Sequence, residues 1–598
     1  MNYKPTIGLE IHAELKTKTK MFCDSLNDSD EKHPNINVCP ICMGHPGTLP
    51  VINQEAVKKV IQAGLALHCQ IADESFFERK NYFYPDLPKG YQISQYQKPL
   101  CRDGYLEILS NDQGLKTKAN NESLKTKAID SSGFSRSPLD VKRIRIERIH
   151  LEEDAGRLLH ESLSTGSGRP ASLVDYNRAG VPLMELVTRP DLENGNEVKK
   201  FAEEFQLILR YLNVSDANME KGQMRVEVNI SLSEILTSSN QKSKIKNQKL
   251  GTKVEIKNLN SIKVAMQAVE YEIKRQSELL DSGERVIQET RGWDEVRGVT
   301  VSQRSKEEAH DYRYFPEPDL PPLFLSISEK LQRRGPPSFS RELLKEASDE
   351  SVAVISNEFS NIEKDSQRKG GVPPTKIDVD GLLVSLPELP QQRRDRFKKQ
   401  YNLPERDIEI FTKAKHLGDY YEKVATELDS EAKVEHLKSG SVKEFSDEKH
   451  LLGRLHALAA NFIITEFPVL FNMKDASELE DLSGIKVEPE AFAELMVMFF
   501  HKKLSSSATK VILKEMTETG LHPEQIMKEK DLGQVSDSGE LTIAVKNVIA
   551  NNQRAVEDYK KGKQESLKFL VGQVMKETKG KANPQVAEEL LKKELVTN

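Results

Sequence analysis

The segment Ile7-Gly-Leu-Glu-Ile-His-Ala-Glu-Leu15 alternates strictly, with apolar residues at every odd position. Successive side chains of a β-strand point to opposite faces, so this alternation predicts a strand with one apolar and one polar face. The apolar face supplies a core, and the polar face presents Glu10, His12 and Glu14. Two carboxylates beside an imidazole are typical metal ligands, which predicts a metal site on this face.

Three further segments alternate in the same way and extend the prediction from a strand to a sheet. They are Ile144–Asp154, Met224–Leu232 and Lys253–Lys257. A surface that combines carboxylates for Mg²⁺ with cations for phosphate suits a nucleoside triphosphate. The alternative is that these are ordinary surface strands of an antiparallel sheet, apolar inside and polar outside.

Length and composition indicate a multidomain globular protein. The chain has 598 residues, of which 37% are hydrophobic and 30% charged, and single cores rarely grow beyond about 250–300 residues. No apolar run is long enough for a membrane helix and no secretory signal is visible, so we expect a cytoplasmic protein without membrane partners. The net charge of −6 implies that nucleic acid would bind only to a local basic surface.

The sequence pattern changes along the chain and predicts four regions. Residues 1–325 are rich in alternating segments with intervening helices and form one α+β domain, and residues 326–385 look like a linker or insertion. Helical periodicity then predicts an all-α domain at 386–487 and a second all-α domain at 488–598. A basic turn near the C-terminus, with Lys576, Lys579 and Lys581, is a candidate RNA contact or simply a solvated loop.

Five motifs occur in order and are specific in combination. They are Ile7–His12, Arg79–Asp86, His150–Gly156, Lys257–Ser261 and Asp311–Asp319. With these motifs the chain resembles the B subunit of the aspartyl/glutamyl-tRNA amidotransferase. The resemblance is dense over residues 3–325 and resumes from Leu386 to the C-terminal region.

The resemblance implies a glutamine-synthetase-like mixed-sheet cradle domain, then an all-α helical linker domain and an all-α tail domain that engages tRNA. It implies an ATP- and Mg²⁺-dependent enzyme that phosphorylates the side-chain carboxylate of mischarged Glu-tRNA(Gln), Asp-tRNA(Asn) or both. Ammonia then displaces the phosphate to give the amide. The implied partners form a heterotrimer with this chain: an amidase subunit, which releases ammonia from glutamine, and a small third subunit.

The resemblance and the polar strand face together suggest the site residues. Glu185 shares strand parity with Leu183 and Val187 and so lies on the same face of the strand as these residues, an apolar setting that disfavours an unpartnered carboxylate. The predicted Mg²⁺ ligands are Glu10, His12, Glu153 and Glu185, with Glu152, Glu227 and Glu255 as further catalytic carboxylates close by. The predicted contacts to the ATP phosphates are Lys80, Arg225, Lys253 and Lys257. The alternative for each basic residue is a salt bridge within the domain. The sequence contains no P-loop motif.

The chain departs from the family pattern at three places. Cys39-Pro-Ile-Cys42 and Cys23 are candidate ligands of a structural Zn²⁺, but the second cysteine of the usual upstream pair is Ser25. His33 or His45 could serve as the fourth ligand, or the site could be degenerate. Glu227 stands where an aspartate is common, and the segment 330–380 is not part of the usual pattern.

Two other function classes compete with the kinase interpretation. The first is a non-catalytic tRNA-binding adaptor, in which the sheet would have no catalytic role. Such a sheet could lose its carboxylates, but here they are present at the positions that match the family motifs. A free-standing amide ligase for a small substrate is disfavoured by the long helical C-terminal region, which suits a macromolecular substrate.

Overall fold

The fold is described from a computed structural model. It covers residues 3–109, 141–161, 171–235, 250–305, 312–326, 375–439, 445–471, 473, 486–533, 538–578, 582 and 584–597. The chain divides into two compact units, Met1–Leu389 and Pro390–Asn598. The first unit is mixed α and β, and every described element of the second is a helix. The α+β prediction followed by helices is therefore confirmed at the level of fold class.

A nine-stranded mixed sheet dominates the first unit. Its strand order is β14-β13-β12-β11-β1-β10-β7-β6-β2, and only the β12–β13 pair is parallel. Smaller sheets join β15-β4-β5, β17-β16-β3 and β8-β9. The strands are β1 (Tyr3–Glu14), β2 (Gln70–Ile71), β3 (Glu74–Ser75), β4 (Glu78–Asn81), β5 (Tyr91–Ser94), β6 (Cys101–Leu109), β7 (Val141–Glu153), β8 (Arg157–Glu161), β9 (Ala171–Asp175), β10 (Pro182–Thr188), β11 (Met224–Glu234), β12 (Val254–Leu259), β13 (Glu289–Asp294), β14 (Val299–Ser305), β15 (Phe315–Pro316), β16 (Leu323–Ser326) and β17 (Thr375–Asp378).

Three helices pack against the apolar face of this sheet. The helices in the described part of the first unit are α1 (Gln54–Ala66), α2 (Gly195–Tyr211), α3 (Ile262–Asp281) and α4 (Val379–Val384). The first three pack into one core with the odd-numbered apolar residues of β1, all of which are buried. Each begins at a polar N-cap, Asn53, Asn194 or Ser261, whose side chain accepts from backbone N–H groups of the first turn. These caps satisfy donors that the helices cannot satisfy internally.

The second unit contains two hydrophobic clusters. One joins buried residues between Phe397 and Ile526, and the other joins buried residues between Leu541 and Leu595. The helices are α5 (Pro390–Tyr401), α6 (Glu405–Lys413), α7 (Lys415–Ser439), α8 (Phe445–Leu470), α9 (Pro489–Phe500), α10 (Ser506–Thr519), α11 (Pro523–Glu529), α12 (Ser538–Asn551), α13 (Gln553–Lys560), α14 (Glu565–Glu577) and α15 (Pro584–Thr597).

The domain boundaries expected from the sequence can be compared with this packing. Helices α9 to α11 share a cluster with α5 to α8, so the expected boundary between residues 487 and 488 lies inside one core. Within the expected insertion at 326–385, β17 pairs with β16 and α4 packs against the core of the first unit. Most of that segment lies outside the described residues. None of the described helices combines the length and apolar character that a membrane span requires.

Packing of the apolar sheet face should set the stability of the first unit. Val228 of β11 is fully buried, whereas Val296, in the turn between β13 and β14, is 98% exposed. Val228→Ala should lower the free energy of unfolding by about 2 kcal/mol, because it removes two buried methyl groups and leaves a cavity. Urea unfolding, followed by fluorescence of Trp293 (the single tryptophan), measures the change. The matched variant Val296→Ala should change it by less than about 0.5 kcal/mol, and equal losses would contradict this assignment of the core.

Candidate functional site

Antiparallel register brings the polar side chains of five adjacent strands together. His12 of β1 lies opposite Glu185 of β10 and Arg225 of β11, and Glu185 in turn lies opposite His150 of β7. Directly opposed residues in antiparallel strands share a face. The polar face of the sheet is therefore built from a defined set: Glu10, His12, His150, Glu152, Glu185, Glu227 and Glu255.

Glu185 lies between two imidazoles. Its Oε2 is 3.5 Å from Nε2 of His12 and 3.3 Å from Nε2 of His150. Glu152 approaches the same two rings at 3.9 Å each and is held in place by a hydrogen bond of 3.1 Å from the hydroxyl of Ser94. On the other side of His12, Glu10 Oε1 is 3.7 Å from Nε2. The centre of the sheet thus holds three carboxylates around two histidines.

Three overlapping groups of side chains on this face could each hold a cation. They are Glu10 with His12 and Glu185; His150 with Glu152 and Glu185; and Glu10 with Glu227 and Glu255, each with its ligand atoms within 4.8 Å of one another. The buried Nδ1 atoms of His12 and His150 and Oδ1 of Asn229 have no hydrogen-bond partner in the described part of the chain. Oxygen ligands with an occasional imidazole suit Mg²⁺, so these residues fit the predicted ion.

The electrostatics of the cluster follow from burial and mutual proximity. Burial alone would lower the pKa of His12 and of His150, but the adjacent Glu185 and Glu152 raise each pKa to about 9. Burial opposes ionisation of Glu185, yet the two imidazoles hold its pKa well below the usual range. Burial and the neighbouring Glu185 raise the pKa of Glu10. The carboxylates and the two imidazoles of the cluster thus stabilise one another's charged forms.

The four basic residues that were predicted to contact the ATP phosphates differ in their surroundings. The ammonium of Lys80 lies 5.3 Å from the ring centre of Tyr312 and 5.8 Å from that of Tyr82. Burial lowers the pKa of Lys80, but Glu152 and other nearby groups raise it above its usual value, which keeps the side chain charged. Lys253 is exposed, just before β12.

The two other predicted cations have carboxylate partners within the sheet. Arg225 contacts Asp154 at 2.9 Å, and Lys257 contacts Glu227 at 2.9 Å. Both residues therefore form salt bridges within the domain, which was the alternative to a phosphate contact. Lys257 lies beside the group formed by Glu10, Glu227 and Glu255.

The structure separates Glu153 from the other predicted Mg²⁺ ligands. Its carboxylate contacts Nζ of Lys89 at 2.5 Å and accepts a hydrogen bond of 3.0 Å from the backbone N–H of Ile93. Glu153 and Glu152 are neighbours in β7 and therefore point to opposite faces. The residue that the structure brings to His12 and Glu185 is Glu152.

His150 was not among the predicted site residues, although it begins the motif His150–Gly156. Arg148, His150 and Glu152 have the same parity in β7, and applying the alternation to this strand would have placed all three beside Glu185. The tyrosines around Lys80 carry no such signal, because Tyr82 and Tyr312 lie 230 positions apart and meet only through the fold.

The predicted zinc ligands do come together. Sulfur atoms of Cys23, Cys39 and Cys42 lie within 4.8 Å of one another. Neither His33 nor His45 belongs to this group; His33 is exposed and contacts Glu31 at 2.8 Å. Of the predicted tail contacts, Lys576 is exposed at the end of α14, and Lys579 and Lys581 lie outside the described residues.

Comparison with known proteins gives matches at both ends of the chain. A family model described as the GatB/GatE catalytic domain matches residues 5–331, and one described as the GatB domain matches residues 448–595. A protein of Caldicellulosiruptor bescii is 41% identical over 598 residues, which cover 100% of this chain and 99% of the relative. Proteins of Thermoanaerobacter pseudethanolicus and Carboxydothermus hydrogenoformans are each 40% identical, over 595 and 594 residues, with at least 99% of both chains covered. All three are named as the B subunit of aspartyl/glutamyl-tRNA(Asn/Gln) amidotransferase.

The charge of Glu185 should control the protonation of both buried histidines. In chelator-treated protein, Glu185→Gln should lower the pKa of both His12 and His150 below about 9, because each imidazolium loses one of its anionic partners while burial and Glu152 remain. NMR titration of isotope-labelled histidine rings measures both values. Glu31→Gln, which removes the partner of the exposed His33, should leave them unchanged. Two histidines that still titrate near pH 9 in Glu185→Gln would refute the role of this carboxylate.

Proposed function

Because this chain belongs to the family formed by the B subunit of aspartyl/glutamyl-tRNA(Asn/Gln) amidotransferase, we propose that it activates the side-chain carboxylate of a mischarged tRNA. It is a subunit of a glutamine-dependent carbon–nitrogen ligase complex that serves protein synthesis. In this proposal residues 1–325 form a glutamine-synthetase-like cradle for ATP and the aminoacylated end of the tRNA. The cradle contains the polar face of the sheet.

The reaction proceeds in two steps. A carboxylate does not react with ammonia directly, since its oxygen is a poor leaving group. Transfer of the γ-phosphoryl group of ATP to the side chain of Glu-tRNA(Gln) or Asp-tRNA(Asn) gives an acyl phosphate and ADP. Ammonia then attacks the carbonyl carbon, inorganic phosphate leaves, and the product is Gln-tRNA(Gln) or Asn-tRNA(Asn). Phosphoryl transfer depends mainly on positioning and charge neutralisation, which a rigid polar sheet can supply.

The residues of the polar face have separate roles in this proposal. Glu10, His12 and Glu185 would hold one Mg²⁺, and His150 with Glu152 offers further ligands on the other side of Glu185. When bound, Mg²⁺ neutralises phosphate oxygens. Lys80 is kept charged beside Glu152 and contributes a positive charge to the same region. Glu227, Glu255 and Lys257 extend the ligand set along the sheet.

One observation carries the proposal: Glu185 is buried between His12 and His150 while two further carboxylates surround them. A purely structural sheet would have no reason to concentrate this charge, because burying carboxylates together is costly. If the chain were only a tRNA-binding adaptor, these buried carboxylates would lower the free energy of unfolding without serving a function.

The complex divides the chemistry among its members in this proposal. Ammonia comes from an amidase subunit, and a small third subunit completes a heterotrimer. The tail, including Lys576, Lys579 and Lys581, contacts the tRNA. The cysteine group (Cys23, Cys39 and Cys42) binds Zn²⁺ in a structural role, because three thiolates suit this ion and the group lacks the carboxylate ligands of the polar face.

Removing a metal ligand should separate catalysis from tRNA binding. Glu10→Ala and His12→Ala, each in the assembled complex, should reduce ATP hydrolysis stimulated by Glu-tRNA(Gln) on the order of 100-fold, the loss typical of a missing electrostatic group at a reacting centre. Affinity for tRNA should stay within about twofold, because phosphate contacts elsewhere dominate nucleic-acid binding. Initial rates of phosphate release and filter binding measure the two effects.

The control for these variants is Glu295→Ala, which removes an exposed carboxylate from the turn between β13 and β14. It should retain the activity of the unaltered chain. Near-normal activity of both Glu10→Ala and His12→Ala would reject the metal assignment. Loss of tRNA binding together with activity would favour the adaptor.

A further inference from the structure

We propose that a pocket in the tail binds one unpaired nucleobase of the tRNA. The pocket lies where α12 ends and α13 begins, and α14 forms its opposite wall. Its volume is about 440 Å³, and it is open to solvent, since Asn551, Gln553, Arg554 and Phe569 are exposed. The residues that carry the argument are Asn551, Asn552, Gln553, Arg554, Ser566 and Phe569. This inference rests on the proposed function, because it names the part of the tRNA that the tail recognises.

The residues beneath the pocket are held by a hydrogen bond and by hydrophobic packing. Asn552 forms the junction between α12 and α13, and its side-chain amide donates a hydrogen bond of 2.9 Å to the carbonyl of Val548. Val548, Leu567 and Leu570, on the same helices, are buried in the hydrophobic cluster of the tail. The walls formed by α12 and α14 are therefore attached to packed helices, which limits the ordering required there when a ligand enters. Helix α13, which carries Gln553 and Arg554, has no buried residue.

The lining matches the chemistry of a nucleobase. Phe569 is 50% exposed although its neighbours in α14, Leu567 and Leu570, are buried, and it offers a ring on which a base can stack. Asn551 and Gln553 add amide groups that both donate and accept hydrogen bonds, as the edges of bases do. An apolar partner would leave these amides unsatisfied, and a phosphate alone would not use the ring. The combination favours a base.

The charge around the pocket favours a polyanion, although the chain as a whole has a net charge of −6. Segment 551–577 contains six cations and four carboxylates. Asp558, the carboxylate of the pocket itself, forms an ion pair with Lys563 at 3.1 Å. Arg554 and Lys568 are exposed and form no ion pair with a described residue. They can therefore contact the phosphates that flank the bound base.

Substitution of Phe569 tests the stacking contact in the full chain. With a tRNA(Gln) transcript as the probe, Phe569→Leu should weaken binding roughly tenfold while leaving the salt dependence of the affinity unchanged, because stacking is lost and no phosphate contact is removed. Phe569→Tyr keeps an aromatic ring and should bind as the unaltered chain does. Arg554→Ala should weaken binding and reduce the slope of log affinity against log salt by about one.

Two controls separate the pocket from general effects on the tail. Ile543→Ala removes an apolar side chain of α12 that is 61% exposed, and Lys592→Ala removes a cation of α15 paired with Glu588. Both should bind the transcript normally. Equal melting temperatures of the unaltered chain and Phe569→Leu would show that the tail remains folded.

The outcomes distinguish this inference from the proposed function. If the unaltered chain binds the transcript and Phe569→Leu binds it equally well, the nucleobase pocket is refuted and the proposed function stands. If the unaltered chain does not bind charged or uncharged tRNA, the proposed function itself fails. Chemical probing should also show one unpaired base that the unaltered chain protects and that becomes accessible with Phe569→Leu. Protection that persists in this variant would overturn the inference.

Discussion

The contact of Glu185 with two imidazoles is the interaction on which the rest of the site depends. Three adjacent strands, β7, β10 and β1, are fixed in antiparallel register so that His150, Glu185 and His12 stand in one row across the sheet. A buried carboxylate without partners would cost several kcal/mol, whereas one between two cationic rings is compensated in part. Moving any of these strands by one residue would turn its polar side chains to the other face and dissolve the row.

The opposite face of the same strands makes this arrangement possible. Ile7, Leu9 and Ile11 are essentially fully buried against α1, α2 and α3, and burial of such side chains contributes roughly 1.5–3 kcal/mol each. The alternation that points Glu10 and His12 to one side therefore also supplies the core on the other. Stability and chemistry are encoded in alternate positions of one strand, so a change in register would remove both.

Much of this arrangement could be predicted from the sequence. The parts that could not be predicted depend on contacts between distant segments. Alternation predicted strands β1 and β11 and placed Glu10 and His12 on one polar face, because side-chain parity is a local property. Glu185 was predicted from the family resemblance and from its apolar neighbours Leu183 and Val187. Glu153 was predicted as a ligand instead of Glu152 because the alternation was not applied to β7, where Ile149 and Leu151 are buried and His150 and Glu152 lie on the other face. The expected boundary at 487 and 488 lies inside a core because α9 packs against α7 and α8. Contacts between distant segments, such as the tyrosines around Lys80 and the walls of the tail pocket, have no periodic signal at all.

The central claim is that the polar face phosphorylates an amino acid attached to tRNA. The most direct measurement follows the γ-phosphate of labelled ATP after incubation of the assembled complex with Mg²⁺ and Glu-tRNA(Gln), without any source of ammonia. We expect labelled phosphate on the tRNA that requires the attached glutamate and disappears in Glu185→Gln. A label that never reaches the tRNA although the complex binds it tightly, or one that forms equally well in Glu185→Gln, would contradict this account.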